Sequence, residues 1–135
     1  MKKLFALVVL SLVAAGVFAT PNQGTGAWLY SVWVQATAEE STLNKLVANA
    51  RFAGFVEGVA LMSFIEMNYI SMPEGVSTGD LTKAVGAYLE AHPERLDHLA
   101  HTLVIYALAE KYPGTSKEWW KFIAAEDLHF EGEDN

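Results

Sequence analysis

Apolar residues recur along this chain at helical spacing. Leu81, Ala84, Val85, Tyr88 and Leu89 stand at i, i+3, i+4, i+7 and i+8, the stripe of an amphipathic helix. Leu96, Leu99, Ala100, Leu103, Val104, Ala107 and Leu108 give a second such stripe up to Lys111. Trp28, Leu29, Val32, Trp33 and Ala36 predict an earlier helix from Ala27 to about Glu40. Leu43 to Asn68 is apolar on more than one face, through Leu46, Ala50, Ala53, Val56, Val59, Ala60 and Met62. That distribution predicts the central, most buried helix, capped by Ser41 or Thr42.

The breaks between stripes carry their own signals. Tyr69 to Val76 reads as a loop, because Pro73 and Gly75 interrupt the helix. Ser77-Thr78-Gly79-Asp80 resembles a capping box in which Asp80 faces the positive end of the helix dipole. His92-Pro93 ends one helix and starts the next, and Pro113-Gly114 stops that one. Ser116 caps a short last helix containing Trp119, Trp120, Phe122 and Ile123. No strand alternation, hairpin turn or internal repeat interrupts this reading. The expected fold is all-α: a compact single-domain bundle of about five helices over residues 27–128.

The first nineteen residues stand apart from that domain. Lys2 and Lys3 precede a short apolar run from Leu4, and small residues at Val17 and Ala19 close it. This is the pattern of a secretory signal peptide cleaved after Ala19. Residues 20–26, rich in Gly, Pro, Asn and Thr, read as a flexible lead-in. The acid-rich end beyond Glu126, with residues 129–135 as its tail, should be solvated.

Charge and composition narrow the function. The full chain has 135 residues and a formal charge of −7. Loss of the leader removes two lysines and no acid, leaving 116 residues with sixteen acids, seven bases and a charge of −9. Such a surface argues against nucleic-acid binding. With no cysteine, thiolate catalysis, Cys-ligated zinc, disulfides and Cys-linked lipid anchors are excluded. Export without a visible anchor implies the periplasm and no membrane span once the leader is cleaved.

Few residues point to chemistry. His98 and His101 are predicted three apart on adjacent turns of one helix, with Glu94, Asp97 or His92 as the nearest third ligand. A polar helix face explains them more simply, and no metal is assigned. Glu57 and Glu66 lie on the apolar second helix and could act as acid and base, but such acids more often mark the edge that reaches water. No basic clamp, nucleophile motif or glycine-rich phosphate loop accompanies them, so neither enzyme nor cofactor is expected. Gly54 and Gly58 each cost a helix roughly 1 kcal/mol relative to alanine. They predict a flat notch for a closely packed helix, within the chain sooner than from a second subunit. Trp119 and Trp120 are divided between core and a binding anchor.

Four segments in order resemble one family. Gly54-Phe55-Val56-Glu57-Gly58-Val59, Met72-Pro73-Glu74-Gly75-Val76-Ser77-Thr78-Gly79-Asp80-Leu81, Tyr88-Leu89-Glu90-Ala91-His92-Pro93-Glu94 and Ala107-Leu108-Ala109-Glu110-Lys111-Tyr112-Pro113 are similar to motifs of the Rap/Tai family of type VI secretion amidase immunity proteins. The resemblance covers about residues 50–114. It implies a small helical periplasmic protein that is no enzyme. Such a protein binds and occludes a peptidoglycan amidase effector, often as a homodimer. Most of the matched residues imply structural roles: Gly54 and Gly58 for helix approach, Pro73 and Gly75 for a turn, Pro93 and Pro113 for helix boundaries. Where the family usually carries cysteines, this chain has Phe52, Ser71 and Gly114. Because loops bind more often than helices do, Met72, Pro73 and Glu74 are the candidate partner contacts. The alternative function is a general periplasmic helical protein, such as an acid-stress chaperone exposing apolar surface when its carboxylates are protonated; a small hydrolase using Glu57 or Glu66 is the third.

Overall fold

The computed structural model describes residues 23–116. Four α-helices form among the described residues: α1 Gly26–Ala36, α2 Leu43–Ile65, α3 Thr78–Ala91 and α4 Ala100–Lys111, with a short 3-10 turn at Pro93–Arg95. No strand forms among them. The all-α expectation therefore holds, with four helices where about five were expected; the helix expected after Ser116 lies outside the described residues.

Local chemistry explains the boundaries. Thr25 and Thr42 cap α1 and α2, accepting from the backbone N–H of Trp28 and Lys45. At α3 the capping box is complete. The Ser77 backbone N–H and hydroxyl both donate to Asp80 Oδ2, at 2.9 and 2.6 Å, and the Asp80 N–H donates to Ser77 Oγ at 3.2 Å. These bonds from Ser77 hold the Asp80 carboxyl below its ordinary range. A depressed carboxylate stabilises the fold above its ordinary pKa, and that contribution disappears as pH falls through the folded value. Ser77→Ala is expected to cost about 1 kcal/mol, measured by urea unfolding at neutral pH, with a smaller loss once Asp80 is protonated.

Helix α1 stops at Ala36, short of the expected Glu40. The Thr37 hydroxyl turns back to donate to the Trp33 carbonyl at 2.9 Å, competing with continuation of the helix. Helix α2 ends at Ile65, three residues before the expected Asn68, which adopts a left-handed backbone with φ 54.

The larger correction concerns the core. Helix α4, with eight of its twelve residues buried, is the buried centre. Helix α2 buries only Ala48, Phe52, Val56, Ala60 and Ser63 along one stripe. That stripe faces α1, α3 and α4, all of which contact it. Phe52 stacks at 5.0 Å on Trp33, and Trp28 meets Phe55 edge-on at 5.5 Å. Gly86 is required where α3 passes α1, since a Cβ there would overlap the Trp33 ring. The Trp33 indole N–H donates to Glu90 at 2.8 Å across the same contact.

Two backbone clasps hold α4 at its ends. At its start, Thr25 pairs antiparallel with Leu99; Gly26 and Ala27 donate to His98 and Leu96, and Ala100 donates to Gly24. At its end, Ile70 pairs with Pro113; Ser71 donates to Tyr112, Gly114 to Tyr69 and Ser116 to Asn68.

Candidate functional site

The loop holding Met72, Pro73 and Glu74 is a built projection. Its base is fixed by Ile70, which is buried and paired with Pro113, and by the Ser71 bond to Tyr112. Met72 packs half-buried against the core, while Pro73, Glu74 and Gly75 are exposed. The Val76 N–H closes the turn onto the Pro73 carbonyl at 3.3 Å, and Gly75 takes the φ of +85° that such a turn demands of its third residue. The capping box then anchors the other side. The tip is thus a short turn carrying the exposed Glu74, held between two fixed points.

The start of α3 also touches the middle of α2, where the Thr78 hydroxyl donates to Glu57 at 3.3 Å. Glu57 and Glu66 are both exposed, and Glu66 serves as the C-cap of α2. Nine residues along one helix are about two and a half turns, so the two carboxylates leave opposite faces of α2 and do not form a facing acid–base pair.

The histidine expectation also changes. Leu99 is extended, with φ −64° and ψ 139°, and is the N-cap of α4. His98 therefore precedes the helix while His101 lies inside it, and the two are not on adjacent turns. His98 approaches Asp97 at 3.8 Å. Among the described residues no group of three or more His, Asp or Glu is placed to hold a metal.

A second feature lies between α3 and α4. A groove of about 460 Å³ runs over Ala84, Ala87, Ala91 and Ala107, with Lys83, Glu110 and Lys111 on its rim. Beside it, Arg95 donates to the Tyr88 hydroxyl at 2.6 Å and lies 5.5 Å over the Tyr106 ring. Burial pushes the Tyr88 phenol up, against the opposing pull of Arg95. His92 stacks on Tyr88 at 4.4 Å and bonds Glu94 at 3.0 Å; that bond chiefly holds the Glu94 carboxyl below its ordinary range. These contacts join the end of α3 to the turn at Pro93.

The third feature is the outer face of α2. Of the eight large apolar residues exposed among the described residues, seven lie on this helix, led by Leu43 at 75%, Ile65 at 64% and Leu46 at 63%. Gly54 and Gly58 are exposed, and a Cβ on either would meet nothing within 4 Å. They form a notch that no helix among the described residues fills. Helix α2 is also the one described helix long and apolar enough to cross a membrane by length and composition.

Sequence reasoning placed the loop and missed both the groove and the open face. The signal for the face was present: Leu43, Val47, Ala50, Gly54, Gly58, Leu61 and Ile65 follow helical spacing directly opposite the buried stripe.

All three features lie on a scaffold pinned at its loops. No curated protein matches the sequence. Residues 25–114 match the family model of Rap1a immunity proteins, a span that begins at one clasp and ends at the other. The chain belongs to the Rap1a immunity protein family, with the role in binding a partner effector that such membership carries.

Proposed function

We propose that this chain is a periplasmic immunity protein of type VI secretion, exported behind a leader cleaved after Ala19. It binds a peptidoglycan amidase effector and occludes its active site, without catalysis of its own and as a homodimer. The observation that carries this reading is the family match over residues 25–114. Three others support it: the leader pattern, the fixed acidic tip at Met72, Pro73 and Glu74, and the acidic surface. A net negative protein is drawn quickly to a basic wall-degrading enzyme, because complementary fields raise the encounter rate.

The test is binding to, and inhibition of, an amidase effector encoded beside this gene. Stoichiometric inhibition of wall hydrolysis is expected. Glu74→Arg should weaken binding by about 1–3 kcal/mol if the tip enters the complex, with no change in thermal unfolding because Glu74 is exposed. Absence of binding to any such effector would overturn the reading.

A further inference from the structure

We infer that residues 117–128 lie as a helix antiparallel to α4, docked on the α4 face formed by Thr102, Ile105 and Ala109. This goes beyond the family match, which ends at residue 114, and does not depend on the proposed function.

Helix α4 is buried on two opposite faces. Ala100, Leu103, Val104 and Ala107 face the core, where Leu103 lies against Gly26 of α1 and Ala107 floors the groove beside α3. Thr102, Ile105 and Ala109 follow one another at spacings of three and four, on the side about 180° away. They are nevertheless 0%, 8% and 4% exposed. Ile105, at the middle of this second face, is buried yet stands outside the core cluster that α4 shares with the other helices. The cover over it comes from beyond the four described helices.

The chemistry of the face restricts what that cover is. The Thr102 hydroxyl is fully buried and has no hydrogen-bond partner among the described residues. Next to it, the N-cap Leu99 supplies no side-chain cap, and the first turn of α4 holds no acid. A buried hydroxyl calls for an acceptor, and the positive start of a helix favours a negative one. The fitting occupant is apolar along most of its length and acidic at the end beside Thr102.

Residues 117–128 meet both demands and begin in the right place. The Ser116 N–H donates to the Asn68 carbonyl at 3.1 Å, in the clasp just beyond the end of α4. The twelve residues that follow equal α4 in number, and as a helix they span ~18 Å, its full length. An antiparallel register across the turn at 112–116 sets Trp119 beside Ala109, Ile123 beside Ile105 and Glu126 beside Thr102. The spacings agree, four and then three on both helices. Large packs on small, apolar on apolar, and a carboxylate meets the hydroxyl. Lys121 turns to the outside. Residues 4–22, by contrast, carry no charge and offer no carboxylate to Thr102.

The experiment uses the full chain, whose lack of cysteine permits site-directed cross-linking. A disulfide forms readily only where two Cα atoms lie within about 7 Å. Ile105→Cys with Ile123→Cys should therefore close within one chain under mild oxidation, at least tenfold faster than Ile105→Cys with Lys121→Cys. Equal rates, or a link formed only between two copies, overturn the docking. So does faster closure of Met62→Cys with Ile123→Cys, which would put the segment on the exposed face of α2. Single Ile105→Cys should react slowly with a thiol reagent whether or not residues 1–19 are present. A thiol that becomes fast on their removal assigns the cover to the leader and overturns the inference. Finally, Trp119→Ala and Ile123→Ala should each lower the melting temperature less in an Ile105→Ala background than in the native one, because the partners share one contact. Fully additive losses overturn it.

Discussion

Phe52→Ala is expected to lower the free energy of unfolding by about 3–5 kcal/mol. The ring is 1% exposed and sits on the inner stripe of α2, against Trp33 of α1. Its removal leaves a cavity bounded by Trp33, which is itself held by the Glu90 bond and by close contact with Gly86. The walls cannot close over the space without breaking these contacts, so the cost falls in the upper part of the usual range. For a domain of this size the melting temperature should drop by roughly 15–30 °C. Urea unfolding followed by tryptophan fluorescence measures it directly. A loss below about 1 kcal/mol would show that α2 does not pack through this stripe.

The second large effect is expected at Gly114. A Cβ there would collide with the Asn68 carbonyl and the Tyr69 backbone, which are main-chain atoms and cannot swing aside. Gly114→Ala should cost about 2–3 kcal/mol through overpacking and should open the clasp between Ile70 and Pro113. Hydrogen exchange reports the opening: the amides of Ser71, Gly114 and Ser116, which bond across the clasp, should lose protection before those of α4. The contrast with Gly54 is informative. The same substitution there meets open space, so glycine to alanine is destabilising at one position and favourable to the helix at the other. An unchanged exchange pattern in Gly114→Ala would refute the steric account.

These two residues also show what the sequence discloses. The stripes of α3 and α4, the capping box at Ser77 and the turn at Gly75 are local, set by neighbours within a few positions, and were legible. Phe52 and Leu46 are equally apolar and six residues apart, yet one is fully buried and the other is 63% exposed. Periodicity reports that α2 is apolar all round; it does not report which face the rest of the chain covers. That depends on where α1, α3 and α4 settle. The start of α4 was hidden for a related reason. Leu99 is a good helix former, but its pairing with Thr25 holds it extended, and no local signal reveals a contact with the far end of the domain.

Of the candidate site, the tip at Met72, Pro73 and Glu74 was legible because proline and glycine mark turns at short range. The open notch at Gly54 and Gly58 was legible as a notch but not as an open one. Ser71 and Gly114, which stand where the family resemblance expects cysteines, lie on opposite sides of one clasp. Backbone hydrogen bonds do here, without a covalent link, the work of joining the segment after α2 to the end of α4. That arrangement suits a cysteine-free chain, and it makes Gly114 intolerant of any side chain.

The clasp between Thr25 and Leu99 has a consequence for the order of events in folding. Its partners are 74 residues apart in sequence, so it closes one of the longest loops in the domain and carries the entropy cost of doing so. During synthesis at about 5–20 residues per second, some 4–15 seconds separate the emergence of Thr25 from that of Leu99. Throughout that interval the N-terminal segment cannot be tied into the domain by any native contact with α4. The clasp at Thr25 therefore closes only once Leu99 is available, which sets it apart from contacts between neighbouring helices that can form as the chain lengthens.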